Sequence, residues 1–300
     1  MIDQRAEHRG IWPILYAFFD EYGALDRGAV RAQVEACIGF GAHGLAVLGL
    51  ATEVSKLTPE ERRRVMTWLA EDAGGRLPLA VTIFGATQSE QIEQLRMAAD
   101  LGAAWAILQP PPNARGTSEG ELLRFFTSVV KVSEIPLGLQ NAPQYLGAGL
   151  SDESLARLAR EFGQFRYLKG EGSALSVGET IAATDGALAV FNGRGGLELP
   201  DNHRAGCAGL ILAPECADIQ VKIWEAMDRG EEAEAERLYA EILPLVTFLM
   251  QSVDQFLCYG KRITARRLGI TEVRDRAPAQ APTEAGLAAM ERYSAGLAPY

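Results

Sequence analysis

The feature that most constrains this chain is an alternation of short apolar runs with longer amphipathic segments. Each run has the length of a strand and is apolar on both faces, which is typical of strands buried on both sides of a parallel sheet. The runs cover residues 11–19 and begin again near Leu45, Leu77, Trp105, Ile135, Phe165, Ala187 and Ala208. Between them, apolar residues recur at three- and four-residue spacing, which predicts helices. Eight such strand–helix units predict an α/β fold, the (β/α)8 TIM barrel.

A doubly wound sheet is the alternative fold, and the sequence argues against it. Such a sheet usually has fewer strands, and a phosphate-binding glycine loop usually follows its first strand. No GxGxxG follows the first apolar run, and no GxxxxGK[ST] occurs anywhere in the chain. The barrel therefore remains the preferred interpretation.

The C-terminal part of the sequence departs from the strand–helix alternation. After about residue 218 the pattern is purely helical, and helices are predicted at 217–229, 231–248, 253–268 and 283–295. The first of these completes the eighth unit. We therefore expect residues 1–230 to form the barrel and residues 231–300 to form a C-terminal helical appendage packed on it.

Composition excludes several classes of function. The net charge of −10 repels phosphate backbones and anionic lipid, so we expect no nucleic-acid and no membrane partner. Three histidines without metal-site spacing predict no metal. Four scattered cysteines without a CxxC indicate buried residues in a reducing cytosol. The charged residues 1–10 predict no signal peptide, so we expect a cytoplasmic protein.

A lysine at the end of the sixth apolar run is the strongest candidate for chemistry. Only five of the 29 cationic residues are lysines, yet Lys169 directly follows an apolar strand. A desolvated lysine can lose its proton and attack a carbonyl to form a Schiff base. Because strand side chains alternate between faces, Glu171 would lie beside it and could move protons. The alternative is a solvated lysine–glutamate pair at the end of a strand.

Other predicted strands also end in polar or glycine-rich segments, where a barrel carries its active groups. Backbone amides after strand two could bind a carboxylate, and an arginine after strand seven could clamp one. Two adjacent amides after strand five are costly unless they are hydrogen-bonded, so we expect one to bind substrate and the other to satisfy loop backbone. An ordinary turn or a solvated loop remains the alternative at each place. The candidates are Gly49, Leu50, Ala51 and Thr52 after strand two, Gln140 and Asn141 after strand five, and Gly193 and Arg194 after strand seven.

The order and spacing of these segments resemble the dihydrodipicolinate synthase/N-acetylneuraminate lyase family of class I, Schiff-base aldolases and dehydratases. The resemblance runs from Gly10 to about Gly269 and rests on residues 10–23, 48–62, 109–111, 135–143 and 167–169. It implies that Lys169 forms a Schiff base with a small-molecule 2-oxo acid, with no metal or organic cofactor. It also implies a homo-oligomer, because the family is often tetrameric and built from dimers.

Several positions depart from the usual family pattern. Leu50 and Ala51 stand where paired threonines usually bind the substrate carboxylate. Gln140 stands where a tyrosine usually precedes the asparagine, and Tyr145 stands where synthase members carry an arginine. These departures argue against dihydrodipicolinate synthase itself.

One branch of the family looks closer, that of L-2-keto-3-deoxyarabonate dehydratase and similar sugar-acid dehydratases. That branch shares the glutamine at Gln140 and the Lys-x-Glu pattern of Lys169 and Glu171. It differs at Arg194 and Gly195, where the branch carries acidic residues. The resemblance thus implies a hydro-lyase that acts on a 2-keto-3-deoxy sugar acid.

The implied mechanism begins when Lys169 adds to the C2 ketone. Glu171, directly or through water, would remove a C3 proton before the C4 hydroxyl leaves. Gln140 and Asn141 would orient the substrate, and Tyr16 could replace the missing phenol. The amides at positions 50 and 51 would hold the carboxylate.

Two other functions stay open at this point. A retro-aldolase of the same family would share the iminium and cleave the C3–C4 bond to release pyruvate. The second is a catalytically silent barrel that binds a sugar acid, which the missing threonines and tyrosines favour and the retained Lys169 and Glu171 oppose.

Overall fold

The computed structural model describes residues 7–300. Its parallel strands are β1 (Gly10–Pro13), β2 (Leu45–Val47), β3 (Leu79–Ile83), β4 (Trp105–Leu108), β5 (Leu137–Asn141), β6 (Phe165–Gly170), β7 (Ala189–Asn192) and β8 (Gly209–Leu212). They form one sheet in the order β1-β8-β7-β6-β5-β4-β3-β2. A parallel bridge between Ile14 and Ala46 joins the two edges of this sheet. The predicted (β/α)8 barrel is confirmed.

Helices connect successive strands, and four more follow β8. They are α1 (Arg27–Gly39), α2 (Pro59–Ala73), α3 (Gln88–Asp100), α4 (Glu119–Val130), α5 (Pro143–Leu146), α6 (Asp152–Glu161), α7 (Ala174–Ala183), α8 (Leu199–Arg204), α9 (Ala217–Asp228), α10 (Glu232–Leu249), α11 (Val253–Arg267) and α12 (Glu284–Ser294). Capping boxes at Thr58, Thr87 and Ser118 begin α2, α3 and α4, because each hydroxyl satisfies an N–H that the first turn leaves free.

Two predicted elements differ from the structure. The first strand ends at Pro13 rather than near residue 19, because the residues after Pro13 pair only through the single bridges of Ile14 with Ala46 and Phe19 with Leu25. The helix predicted at 253–268 is interrupted by a π-helical turn at Phe256–Gly260. Apolar spacing of three and four residues does not reveal one extra residue in a turn.

Aromatic side chains from four strands fill the barrel interior below the carboxyl ends of the strands. Trp12, Trp105, Tyr167 and Phe191 contact one another with ring centroids 4.5 to 6.2 Å apart. The barrel at this level is therefore a packed core rather than a channel.

The C-terminal helices are tied to the barrel by buried ion pairs. The guanidinium of Arg267 donates two hydrogen bonds, of 2.8 and 2.7 Å, to the carboxylate of Asp218, and Lys261 pairs with Glu53 in the loop after β2. The division at residue 230 stays a prediction.

The structure tests only part of the predictions about the cysteines and about the location of the protein. All four cysteines are free and buried. Within residues 7–300 no single helix is long and apolar enough to cross a membrane, although the bent pair Glu232–Leu249 and Val253–Arg267 passes by length and composition. The prediction of no signal peptide rests partly on residues 1–6, which lie outside the described residues.

Candidate active site

Lys169 and Glu171 lie together at the carboxyl end of β6. The side chain of Lys169 points into the barrel, where the residue is only 4% exposed, and Glu171 is 5% exposed. The lysine Nζ lies 2.9 Å from Oε1 of Glu171. The pair is therefore a buried ion pair above an apolar core rather than a solvated pair at a strand end.

A chain of side-chain amides holds the Glu171 carboxylate. Gln140, which pairs in register with Lys169, donates from Nε2 to Oε1 of Glu171 at 3.2 Å. Gln109, directly after β4, donates in turn to Oε1 of Gln140 at 3.0 Å. The backbone N–H of Arg194 donates to the other carboxylate oxygen at 3.1 Å. Together these donors orient the carboxylate toward the lysine amine.

Gly193 is required by this arrangement. A Cβ built at this position would lie 2.2 Å from Oε2 of Glu171, far inside van der Waals contact. The carboxylate thus rests directly against the backbone of the loop after β7. Any larger residue at position 193 would displace it.

A pocket opens above the Lys169–Glu171 pair. Leu50 and Ala51 line it on the side of β2, and Gly193 and Arg194 line it on the side of β7. The start of α11 and the end of α10 contribute apolar side chains. These are Met250, Val253 and Phe256. Four of the predicted binding residues are therefore brought to one pocket with the lysine.

The guanidinium of Arg194 is engaged by protein groups at the pocket mouth. Its Nη1 donates to Oε2 of Glu198 at 2.9 Å and to the carbonyl of Gly172 at 3.2 Å. Its positive charge is thus largely balanced before any substrate arrives, which weakens the predicted carboxylate clamp.

Thr52 and Gly49 shape the loop after β2 rather than line the pocket. The Thr52 hydroxyl accepts from the N–H of Leu48 at 2.9 Å and donates to the carbonyl of Leu15 at 2.7 Å. A Cβ on Gly49 would lie 2.5 Å from the side chain of Ile14. Both residues hold the loop against β1.

Asn141 points away from the pocket. Its Nδ2 donates to the carbonyl of Leu150, and its Oδ1 accepts from the N–H of Leu150, both at 2.9 Å. The implied substrate-binding role of Asn141 is left without support, because both polar atoms are already bonded. Gln140, its neighbour on the opposite face of β5, is the amide that reaches the site.

Tyr16 is directed toward a second buried carboxyl group. Its hydroxyl donates to Oε2 of Glu215 at 3.0 Å. Burial raises the pKa of Tyr16 well above its ordinary value, and the charge of Glu215 raises it further. Burial also raises the pKa of Glu215, to about 7. This pairing gives no support to Tyr16 as the replacement phenol.

Two residues near the pair were not among the predicted site residues. Tyr145 lines the pocket beside Lys169 and Glu171, and Gln109 begins the amide chain. Gln109 directly follows β4, and Tyr145 lies in the single turn α5 after β5, at the end of the barrel where active groups collect. That position was the available signal, since residue type alone does not separate them from loop residues.

Two further observations concern sites elsewhere in the chain. A larger groove, of about 750 Å³, lies outside the barrel between α2 and α3 and is lined by residues such as Arg62 and Glu93. None of the strand-end groups faces that groove. Across residues 7–300, no cluster of three histidine, cysteine, aspartate or glutamate side chains could hold a metal ion.

The fold and the polar groups at its strand ends define a (β/α)8-barrel enzyme. Residues 7–290 match the family model of the dihydrodipicolinate synthetase family. The chain belongs to that family, and it is an enzyme of the class I, Schiff-base type, a lyase or aldolase.

Individual relatives agree with this assignment and differ in their reactions. The chain is 31% identical over 245 residues to L-2-keto-3-deoxyarabonate dehydratase of Azospirillum brasilense. The aligned region covers 80% of this chain and 79% of the relative. It is 27% identical over 239 residues to 4-hydroxy-tetrahydrodipicolinate synthase of Methanopyrus kandleri, with 79% of each chain covered. The crystal structure of dihydrodipicolinate synthase from Rhodopseudomonas palustris superposes with a TM-score of 0.88 at 21% identity, covering 96% of this chain and 97% of that one.

Proposed function

We propose that this enzyme dehydrates a 2-keto-3-deoxy sugar acid through a Schiff base on Lys169. The observation that carries the proposal is the buried lysine amine 2.9 Å from the carboxylate of Glu171. A carboxylate at this distance can take the proton of the ammonium group and so expose the nucleophilic amine. No metal or organic cofactor is needed for this chemistry.

The steps follow from the positions of these two groups. The amine of Lys169 adds to the C2 ketone, and loss of water gives the iminium. The iminium acidifies C3, and Glu171 accepts a C3 proton to leave an enamine. The enamine electron pair then forms the C3–C4 double bond as the C4 oxygen takes up a proton and departs as water. Hydrolysis of the imine frees the lysine.

Binding of the substrate carboxylate is assigned to the loop after β2. Leu50 and Ala51 line the pocket, and in the part of the chain that the structure describes neither of their backbone N–H groups donates to another backbone carbonyl. Backbone donors of this kind suit an anionic group without adding a charged side chain.

The charges of the pocket support a dehydratase over a synthase. Tyr145 stands where synthase members carry an arginine, and Arg194 already pairs with Glu198. The apolar side chains of Met250, Val253 and Phe256 line the rest of the pocket. With Arg194 engaged, the loop after β2 is left to hold a single substrate carboxylate, and the similarity to the Azospirillum brasilense dehydratase supports a sugar acid as the substrate class.

Borohydride trapping tests the Schiff base directly. Pyruvate plus borohydride should give one stable adduct by intact mass on the wild-type protein and on Lys222→Ala, which removes an exposed lysine of α9. The Lys169→Ala variant should give none. The absence of an adduct on the wild type, or an equal adduct on Lys169→Ala, would contradict the proposal.

Product analysis separates the alternatives that share the iminium. Incubation with 2-keto-3-deoxy pentonic and hexonic acids should give a dioxo or semialdehyde product. Release of pyruvate would instead support the retro-aldolase. Adduct formation without any turnover would support the silent sugar-acid-binding barrel.

Assembly and location are also proposals. A homo-oligomer, dimer or tetramer, is expected from the family resemblance, and light scattering measures its stoichiometry. The cytoplasm is the expected compartment, because four unpaired buried cysteines suit a reducing environment.

A further inference from the structure

The proposed dehydration needs a proton at C4 as well as a base at C3. Hydroxide is a poor leaving group, so the C4 oxygen must be protonated as it departs. Within the described residues that line the pocket, the titratable side chains are Lys169, Glu171, Arg194 and Tyr145. Lys169 is consumed as the imine, and a guanidinium does not give up its proton. The remaining donors are the phenol of Tyr145 and Glu171, once Glu171 has taken the C3 proton. Hydrogen bonds from Gln140 and Arg194 hold the Glu171 carboxylate toward the lysine, which leaves the C4 oxygen to the phenol.

The backbone holds Tyr145 at the pocket mouth. It lies in the single turn of α5, which begins at Pro143 and ends at the left-handed Gly147. The N–H of Leu146 donates to the carbonyl of Ala142 at 2.8 Å. These contacts close the turn, and the ring of Tyr145 is half-buried where it lines the pocket.

A second contact connects this turn to Glu171, directly after β6. Nε2 of Gln144 donates to the backbone carbonyl of Glu171 at 2.5 Å. The phenol of Tyr145 is therefore carried on a segment that is bonded to the backbone of the base. A movement of one would be transmitted to the other.

The charged groups around Tyr145 suit a proton donor that is reprotonated after each turnover. Burial raises the pKa of Tyr145, and the charge of Glu171 raises it further, so the phenol holds its proton at neutral pH. The guanidinium of Arg194 acts in the opposite direction by a smaller amount. It would stabilise the phenolate that forms after proton transfer.

We propose that Tyr145 is a catalytic residue that donates its phenolic proton to the departing C4 hydroxyl group; this inference rests on the proposed dehydratase function. The C4–O bond breaks as the enamine electron pair forms the C3–C4 double bond, and the oxygen leaves as water with the proton of Tyr145. The phenolate then recovers a proton from Glu171, which took one from C3. No outside acid is consumed, and one water is lost.

Tyr145→Phe separates the donor role from the Schiff base, because pyruvate has no group to eliminate. With pyruvate, the variant should still trap with borohydride and still exchange its methyl protons in D2O, followed by NMR. With a 2-keto-3-deoxy sugar acid, its kcat should fall by about 100-fold or more, with little change in KM. The control Tyr22→Phe, at a tyrosine that is 87% exposed, should match the wild type in every assay.

A substrate analogue with chloride in place of the C4 hydroxyl group distinguishes proton donation by Tyr145 from a structural role of this residue. Chloride departs without a proton, so Tyr145→Phe should eliminate it at close to the wild-type rate. If Tyr145→Phe dehydrates the hydroxy acid with the wild-type kcat, the donor role is overturned. It is also overturned if the variant loses borohydride trapping and methyl-proton exchange along with dehydration. Failure of the wild type to form any adduct would instead overturn the proposed function, and this inference with it.

Discussion

Replacement of Glu215 by glutamine tests the electrostatics of the buried Tyr16–Glu215 pair. Glu215 lies in the turn after β8, where it is 2% exposed and accepts the hydroxyl of Tyr16. Burial raises its pKa from 4.5 to about 7. Glutamine keeps a carbonyl oxygen for the tyrosine but removes the titrating group, so the comparison isolates the ionisation.

The magnitude follows from the difference in pKa. Between 4.5 and about 7 the folded protein holds a proton on Glu215 that the unfolded chain has lost. The free energy of unfolding must therefore fall as the pH rises through this interval. At about 1.36 kcal/mol for each pKa unit, the full loss is about 3 kcal/mol. Below pH 4.5 the group is protonated in both states, so its ionisation does not change the free energy of unfolding.

Urea denaturation at a series of pH values between about 4.5 and 8 measures this effect. The stability of Glu215→Gln relative to the wild type should rise by about 3 kcal/mol across the series. A penalty for burying the amide would add a constant offset and leave the slope unchanged. Glu179→Gln, an exposed position on α7, should show no such slope. Parallel pH profiles for the wild type and Glu215→Gln would refute a neutral buried carboxyl group.

Two substitutions test other parts of the site. Asn141→Ala should lower the free energy of unfolding by about 2 kcal/mol in urea denaturation, because it removes two hydrogen bonds to Leu150, while borohydride trapping persists; loss of trapping in a stable protein would contradict this. Gly193→Ala should reduce kcat by about 100-fold or more in the dehydration assay, because its Cβ would displace the carboxylate of Glu171, and wild-type turnover would show that the contact is unimportant.

The register of each strand was beyond the reach of the sequence, and it decided between neighbouring residues. Gln140 and Asn141 are adjacent amides that alternate faces, and the expectation was that one would serve the substrate and one the loop. Only the pairing of Gln140 with Lys169 across the sheet shows which of them faces inward. Asn141 then meets the backbone of Leu150 instead.

Contacts between side chains that lie far apart in the chain also could not be predicted from the sequence. The position of Tyr16 in the first apolar run suggests that it could replace the missing phenol. Its partner, Glu215, is 199 residues away and is brought to it by the closure of the barrel between β1 and β8. Arg194 looked like a free clamp until the turn into α8 placed Glu198 beside it. In the sequence, Tyr145 is marked only by its place after strand five and by its departure from the family pattern.

By itself the sequence determined the barrel, its helical appendage and the placing of Lys169 beside Glu171. These features depend on backbone periodicity, which is local: two residues per repeat in a strand and 3.6 in a helix. The tertiary structure alone decided which polar side chains meet at the pocket. Those contacts join loops from separate strand–helix units, and the geometry that brings the loops together exists only once all eight strands have closed.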